Sequence, residues 1–385
     1  MRKNVAVLGS TGSIGTASLE VISHLGAPYR VSAISAHNSG RKLLDQARRH
    51  RPACVAITND APDPELVAAI RQLGCEVLTG TDALARVVAR DDIDLTLLAI
   101  VGAAGLPAAV ASIEHDKPLL LANKESLVVA GEILIPEARR RNVPIIPIDS
   151  EHSAVFQACL AGQRDEIKRV ILTASGGPFR KTPLDQMNRA TPADALNHPT
   201  WQMGGKITID SATMFNKALE LIEAARLFDL PAEQLAVLIH PESIVHSMVE
   251  FVDGSTIAQL SPPDMRLPIQ YALTYPDRRA GIARSMDWTS AITLQFEPPC
   301  EDRYPALRLG FEVVRRGGTL GAVLNAANEV AVDAFLHGRL AFGAIWQVVE
   351  RVMQQHRLIE RPTMEQLQSA DRAARADAAR IIAAV

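Results

Sequence analysis

Short apolar runs alternate with helical patterns over the first 150 residues of the chain. The runs occupy residues 4–8, 29–36, 54–57, 76–78, 95–100, 118–122 and 145–148. Continuous apolar runs of this length, with helices between most of them, are typical of buried parallel strands. The pattern predicts an α/β fold whose N-terminal domain is a Rossmann-like, doubly wound parallel sheet.

The pattern changes after residue 150. A strand at residues 170–173 breaks at Ser175, residues 207–209 lead into a long helix at 212–228, and the chain becomes helical beyond Pro299. Bulky apolar residues among glycines and prolines at 198–206 indicate a lid loop. We predict a Rossmann-like domain at 1–150, a central α+β domain at 151–285, a linker at 286–310 and a C-terminal helical domain at 311–385.

Composition restricts the kind of protein. A chain of 385 residues is too long for one compact core, and its net charge of −3 argues against a broad nucleic-acid surface. The four cysteines are scattered, which fits a reduced cytoplasmic chain without a zinc site. The uncharged stretch 95–113 contains Gly102, Gly105 and Pro107, so a strand, a turn and a helix explain it better than a membrane span.

A glycine loop follows the first strand. Gly9, Gly12 and Gly15 separate that strand from the first helix, where glycine allows the backbone to approach a pyrophosphate. The second strand ends at His37-Asn38 without an acidic residue, and two cations follow at Arg41-Lys42. This end favours the extra phosphate of NADP over NAD, although an ordinary loop before a helix is the alternative.

Two carboxylates follow the last strand of this first domain. Alternation along a strand would place Asp149 and Glu151 on one face, about 7 Å apart. Like charges at this spacing favour a hard divalent cation between them. The alternative is a solvated strand end that caps the next helix.

Other polar groups cluster at predicted strand ends and on one helix. Asn123-Lys124-Glu125 follows the sixth strand, and Ser175-Gly176-Gly177 offers backbone N–H groups to an anion or forms a plain turn. One polar helix face carries Thr213, Asn216, Lys217 and Glu220. Either Glu220 is a third carboxylate for the metal, with Asn216 and Lys217 holding an anion, or Lys217 and Glu220 form a solvated pair.

Taken together, the motifs are similar to those of one enzyme family. The segments 9–15, 121–127, 149–152, 175–179, 198–201, 210–220 and 325–329 resemble, in order and spacing, 1-deoxy-D-xylulose 5-phosphate reductoisomerases of the non-mevalonate isoprenoid pathway. The resemblance implies NADPH and a divalent cation (Mg²⁺, Mn²⁺ or Co²⁺) as cofactors, a phosphorylated sugar as substrate, and a homodimer. It also implies that the domain at 1–150 binds NADPH and that the domain at 151–285 serves catalysis and dimerisation. The strand at 244–251 is our candidate for the dimer interface.

The resemblance also implies the role of individual residues. Those implied to act in catalysis are Lys124, Asp149, Glu151 and Glu220, and the last three are the implied metal ligands. Those implied at the sugar oxygens are Lys124, Ser150 and Glu151, and those implied at the phosphate are Ser175, His198, Ser211, Asn216 and Lys217. Trp201 is implied to close the lid over substrate. The implied NADPH contacts are Thr11, Gly12, Ser13, Ile14, Asn38, Asn123, Glu125 and Gly204, with Arg41 as a candidate at the 2′-phosphate.

The implied reaction is a retro-aldol and aldol rearrangement followed by hydride transfer, giving 2-C-methyl-D-erythritol 4-phosphate. Two other functions remain compatible with the residues alone. One is an NADP-dependent aldehyde oxidoreductase that catalyses no rearrangement and needs no metal. The other is a non-catalytic NADPH-binding module.

Overall fold

The computed structural model describes residues 3–201 and 203–384, which divide into two compact units. Unit 1 comprises Met1–Ser126, Leu134–Ser153 and Asp264–Arg284, and unit 2 comprises Leu127–Ile133, Ala154–Pro263 and Ser285–Val385. Gln202 of the predicted lid and the terminal Val385 lie outside the described residues. The division into four segments stays a prediction.

The strands of the described residues are, in chain order, β1 (Lys3–Leu8), β2 (Tyr29–Ala36), β3 (Cys54–Ile57), β4 (Glu76–Thr79), β5 (Leu95–Leu98), β6 (Leu119–Leu121), β7 (Ile145–Pro147), β8 (Ile167–Ala174), β9 (Leu235–Ile239), β10 (Val245–Phe251) and β11 (Thr256–Leu260). Their α-helices are α1 (Ser13–Leu25), α2 (Gly40–His50), α3 (Pro64–Gln72), α4 (Ala83–Val88), α5 (Leu106–Glu114), α6 (Lys124–Arg141), α7 (Ser150–Ala158), α8 (Leu184–Met187), α9 (Pro192–Leu196), α10 (Gly205–Thr213), α11 (Phe215–Leu227), α12 (Arg266–Thr274), α13 (Pro305–Arg316), α14 (Leu320–Leu336), α15 (Ile345–Gln355) and α16 (Met364–Ala383).

Unit 1 contains one seven-stranded parallel sheet in the order β4-β3-β2-β1-β5-β6-β7. Parallel neighbours require crossover connections, which the helices between these strands provide. The chain moves outwards from β1 to β4 and then returns to the other side of β1 at β5. The carboxyl ends of β1 and β5 therefore flank the point where ligands bind in doubly wound sheets. The predicted fold class is confirmed.

The uncharged stretch 95–113 folds as predicted from its glycines and proline. It forms β5, a short 3₁₀ turn at Ala103–Gly105 and α5, and most of it is buried in unit 1. Across residues 3–201 and 203–384, no helix is both long and apolar enough to cross a bilayer.

Unit 2 combines a four-stranded sheet, in the order β11-β10-β8-β9, with the C-terminal helices. Leu221 and Ala224 of α11 pack with the sheet residues, whereas Leu219 and Ile222 pack with α13 to α16. Helix α11 is therefore covered on both faces. This explains why its polar side chains are also buried, since little of the helix surface remains for solvent.

The segment 207–209, which leads into the predicted helix, is itself helical and belongs to α10. Its β-branched residues favour a strand, but Ile209 is buried within unit 2 and the Thr208 hydroxyl bonds the Gly204 carbonyl one turn back. The predicted helix at 212–228 is also interrupted, because Met214 has a left-handed φ of 64°. Thr213 consequently ends α10 and is not on the polar face of α11.

The predicted interface strand, β10, lies inside its sheet. It pairs with β8 on one side and with β11 on the other, antiparallel to both. Of the strands in this sheet, β11 and β9 are the outer ones. The predicted place of β10 in a dimer interface stays a prediction.

Candidate active site

The glycine loop of unit 1 is held by backbone contacts that exclude side chains. A Cβ on Gly9, whose φ is +81°, would lie 2.6 Å from the Ala99 carbonyl oxygen. A Cβ on Gly15 would lie 2.3 Å from the Gly9 carbonyl oxygen. Gly12 is the N-cap residue of α1, and no side chain caps this end of the helix by a hydrogen bond. The first turn of α1 therefore keeps N–H groups available for an anion, next to partly exposed Thr11, Ser13 and Ile14.

The end of β2 opens into a cavity of about 640 Å³ that includes His37, Asn38 and Arg41 in its lining. The two cations predicted here have different surroundings. The Lys42 ammonium donates to the Thr11 carbonyl 2.8 Å away, so it is bonded to the glycine loop. Arg41 lines the cavity, which makes it the cation better placed for a 2′-phosphate.

Asn123 begins α6 at the carboxyl end of β6. Its amide donates to the Ile100 and Gly102 carbonyls at 2.8 and 2.9 Å, and also to Glu125 at 2.9 Å. The residue is fully buried. Its side chain therefore connects the ends of β5 and β6, a role that the sequence pattern did not indicate.

The two acidic residues after β7 do not follow strand alternation. The strand ends at Pro147, and Asp149 precedes α7, where its carbonyl accepts from the Ser153 N–H at 2.8 Å. Glu151 lies in the first turn of α7. Nevertheless, an oxygen of each carboxylate lies within 4.8 Å of the other. Asp149 thus begins the next helix, as the alternative held, but its side chain is only 13% exposed and not solvated. A helix start has placed the two carboxylates close together without a strand.

Lys124 supplies the counter-charge to this pair. Its ammonium is buried and lies 2.6 Å from Asp149 Oδ2. Burial would raise the pKa of the Asp149 carboxyl, but the Lys124 ammonium and His152 hold that pKa well below its usual range. Asp149 is therefore ionised at neutral pH, and the hydroxyl of Ser150 bonds Glu151 beside it. Two adjacent, partly buried carboxylates fit a hard cation.

In unit 2, three predicted residues meet in what we call the anion cluster: Ser175, His198 and Ser211. His198 Nε2 lies 3.1 Å from each serine hydroxyl. The Gly177 N–H donates to Ser175 Oγ at 3.2 Å. The sequence had offered this N–H to an anion, but it is already bonded to Ser175. The hydroxyl hydrogens are the donors that remain for a ligand.

The lid backbone determines the tautomer of His198. The N–H groups of Thr200 and Trp201 donate to His198 Nδ1 at 3.1 and 2.9 Å. Nδ1 therefore carries the lone pair, and in the neutral ring the hydrogen is on Nε2, facing the two serines. Burial lowers the pKa of this imidazole below its ordinary value of 6.5.

Acidification is expected to release this part of the lid. Once protonated, Nδ1 cannot accept hydrogen bonds from the N–H groups of Thr200 and Trp201. Because burial lowers the pKa of His198 in the folded state, these bonds stabilise the lid above pH 6.5 and are lost as the pH falls below that value. In a Trp288→Phe/Trp346→Phe background, Trp201 fluorescence should change with a midpoint below pH 6.5. His198→Gln should abolish the change; a transition that persists in that variant contradicts the assignment.

Helix α11 carries the remaining predicted acid. Glu220 is fully buried and accepts from the Asn216 amide through one oxygen and from the Lys217 ammonium through the other. Lys217 is buried as well. The alternative of a solvated pair is therefore wrong, although the Lys217–Glu220 pair itself exists.

Trp201 and Gly204 belong to the segment that leads into α10. The Trp201 ring is 6.4 Å from the buried His246 ring, and exposed Gly204 precedes the helix. Two buried residues nearby, Asp210 and Asn328, form a hydrogen bond that sequence reasoning missed. Both fall inside the motifs at 210–220 and 325–329, which is the signal that could have pointed to them.

Comparison with known proteins tests the predicted family. Family models described as 1-deoxy-D-xylulose 5-phosphate reductoisomerase, its C-terminal domain, and DXP reductoisomerase C-terminal domain match residues 5–131, 145–228 and 260–377. The reductoisomerase of Chlorobaculum tepidum is 46% identical over 381 residues, which cover 99% of this chain and all of that protein. The chain belongs to the 1-deoxy-D-xylulose 5-phosphate reductoisomerase family.

Other reductoisomerases agree over the same length. The reductoisomerase of Symbiobacterium thermophilum is 47% identical over 99% of this chain and 98% of its own. The reductoisomerase structure from Zymomonas mobilis in complex with NADPH has a TM-score of 0.91 at 41% identity, covering 99% of this chain and 98% of that one. A further reductoisomerase, in complex with NADPH, fosmidomycin and magnesium, has a TM-score of 0.91 at 38% identity, with the same coverage.

Membership in the reductoisomerase family confirms the predicted enzyme class. The two alternatives, an aldehyde oxidoreductase without rearrangement and a non-catalytic NADPH-binding module, are not favoured. The roles of single residues stay predictions.

Proposed function

We propose that this chain converts 1-deoxy-D-xylulose 5-phosphate to 2-C-methyl-D-erythritol 4-phosphate, a step of non-mevalonate isoprenoid synthesis, with NADPH and a divalent cation. The observation that carries the proposal is the pair of adjacent carboxylates at Asp149 and Glu151, beside the buried Lys124 ammonium. A hydride transfer alone needs no such oxygen pair, whereas a carbon-skeleton rearrangement needs stabilisation of a developing enolate.

The anion cluster is proposed to hold the phosphate of the substrate. The Nε2–H of His198 engages the serine oxygens, which leaves the hydroxyls of Ser175 and Ser211 to donate to phosphate oxygens. Asn216 and Lys217 are proposed to add an amide and a cation. Since the phosphate is remote from the reacting carbons, its binding energy can order the lid segment that begins at His198 and carries Trp201.

The metal ligands are proposed to be Asp149, Glu151 and Glu220. Their oxygens are the donor type that Mg²⁺ and Mn²⁺ prefer, and in unit 1 the two carboxylates are already adjacent. When bound, the cation supplies Lewis acidity to the carbonyl and neighbouring hydroxyl of the substrate. Lys124 and Ser150 are proposed to orient the sugar oxygens.

NADPH is proposed to lie along the carboxyl ends of β1 and β5 in unit 1. The free N–H groups of α1 support a pyrophosphate position beside Thr11, Gly12, Ser13 and Ile14. Asn38 and Arg41 line the cavity proposed for the 2′-phosphate. Asn123 and Glu125, with Gly204 from unit 2, are the further proposed contacts. When bound, NADPH supplies the hydride that reduces the rearranged aldehyde.

Turnover should require both the sugar phosphate and a free divalent cation. With 1-deoxy-D-xylulose 5-phosphate, NADPH absorbance should fall steadily. Addition of EDTA should slow the reaction at least about a hundredfold, because the Lewis acid is removed. Excess Mn²⁺ or Mg²⁺ should restore the rate.

The same assay separates the alternative functions. Oxidation of NADPH that EDTA does not affect would indicate a metal-independent aldehyde reductase. Binding of NADPH without turnover would indicate a non-catalytic module. A product that lacks the branched carbon skeleton would contradict the proposed rearrangement even if turnover depended on metal.

A cytoplasmic homodimer is the proposed working form. The outer strand β11 carries Ile257, which is 40% exposed, and neighbouring Val252 is 66% exposed. An outer strand with unpaired backbone groups and exposed apolar side chains is a surface that a second copy can cover.

A further inference from the structure

A cluster of buried polar residues connects α10 with the C-terminal helices of unit 2. Asp210 is 1% exposed and Asn328 is fully buried. The Asn328 amide donates to Asp210 Oδ1 at 2.9 Å, and the Lys206 ammonium lies 2.5 Å from Asp210 Oδ2. Both oxygens of this carboxylate therefore have defined partners, one on α10 itself and one on α14.

The next residue of α14 extends the cluster to α16. Glu329 accepts from the Asn325 amide at 3.0 Å and from the Arg375 guanidinium at 2.8 Å. Burial would raise the pKa of the Glu329 carboxyl, but Arg375 and Lys206 hold it below its usual value. Charged groups on three helices thus balance one another in a largely buried region, where an unpaired charge would be costly.

Asp210 is the residue immediately before Ser211 of the anion cluster. Neighbouring residues of an α-helix point about 100° apart, so Asp210 can be bound by α14 while Ser211 faces His198. On the other side, a Cβ on Gly177 would lie 2.9 Å from both the Ser211 carbonyl oxygen and Ala212 Cα. Helix α10 is therefore held between a close backbone contact and the Asp210–Asn328 bond.

We propose that Asn328 is a positioning residue for the substrate phosphate. Through its hydrogen bond to Asp210 it sets the rotation of α10 and places the Ser211 hydroxyl beside His198. This inference rests on the proposed phosphate role of the anion cluster. It extends that role to a residue of the C-terminal helices, 118 positions away from Asp210 in sequence.

A structural role alone would give a different result. Loss of packing would lower stability and weaken all ligands together. A changed orientation of α10 should weaken mainly the group that binds at Ser211. NADPH is the internal reference, because Gly204 is its only proposed contact beside α10 and the others are in unit 1.

The test compares Asn328→Ala with Asn325→Ala in the full-length enzyme. Asn325 lies one turn earlier on α14, is equally buried, and bonds Glu329 instead of Asp210. Asn328→Ala should raise the KM for 1-deoxy-D-xylulose 5-phosphate and the inhibition constant of inorganic phosphate about tenfold, the size expected for one hydrogen bond to a charged group. The Kd of NADPH and kcat at saturation should stay within about twofold.

Asn325→Ala should leave the phosphate inhibition constant within about twofold of the wild-type value, while lowering the thermal midpoint as much as Asn328→Ala does.

The exchange variant Asp210→Asn/Asn328→Asp restores a hydrogen bond between the two residues with its direction reversed, so it should recover part of the lost phosphate affinity. If Asn328→Ala does not fold, Asn328→Ser replaces it, since the hydroxyl is too short to reach Asp210.

Two outcomes overturn the inference. In one, Asn328→Ala leaves phosphate inhibition unchanged; in the other, it weakens NADPH and phosphate equally. Failure of the proposed function is recognised separately in the wild-type enzyme, where inorganic phosphate would not compete with substrate or no turnover would occur.

Discussion

Replacing Glu220 with glutamine is expected to lower kcat for NADPH oxidation about a thousandfold while the chain still folds. The side chain is fully buried, and glutamine preserves its shape. The substitution removes the negative charge of the proposed third metal ligand, and it leaves the Lys217 ammonium facing a neutral amide. We therefore also expect a lower thermal midpoint and weaker Mn²⁺ binding, measured by calorimetry.

The matched control is Glu312→Gln on α13. This glutamate also belongs to unit 2, but it is partly exposed and bonds Arg316 on the helix surface at 2.6 Å. The kcat of the Glu312→Gln variant should equal that of the wild type. Near-normal turnover in Glu220→Gln, with circular dichroism unchanged, would remove Glu220 from the proposed metal site.

Gly15→Ala is expected to raise the Kd of NADPH about a hundredfold, because small misplacements of a binding loop cost this much. The new Cβ would lie 2.3 Å from the Gly9 carbonyl oxygen and 2.5 Å from Ser10 Cα. Both are backbone atoms, so the loop and the start of α1 must separate. The affinity can be measured by titration of NADPH fluorescence.

Ser18→Ala provides the comparison on the same helix. Its hydroxyl bonds the Ile14 carbonyl at 2.8 Å, away from the loop contact, so NADPH affinity should change less than about twofold. Metal binding measured by calorimetry should be unchanged in both variants. An unchanged Kd for NADPH in Gly15→Ala would mean that the loop tolerates the displacement and does not bind the pyrophosphate closely.

The sequence predicted unit 1 almost completely. Buried parallel strands appear as continuous apolar runs bounded by glycine and proline, so β2 and β3 have the predicted limits and the other strands of the sheet differ by few residues. The glycine loop was also predictable from the sequence, since only glycine tolerates the close backbone contacts at positions 9 and 15.

Local patterns failed where tertiary contacts compete with propensity. Ile207, Thr208 and Ile209 have the composition of a strand but lie in α10, because burial in unit 2 outweighs their strand preference. Asp149 and Glu151 were predicted to be close for the wrong reason. Strand β7 stops at Pro147, and it is the start of α7 that brings the carboxylates together.

By itself, then, the sequence determined the doubly wound sheet, the enzyme family and the types of residue that its chemistry needs. These are encoded in local runs and motifs, which are readable without coordinates. Only the tertiary structure decided which nitrogen of His198 carries the hydrogen and that Asn328 bonds Asp210. Both depend on the direction of hydrogen bonds that form only once the chain has folded, and residue spacing carries no information about that direction.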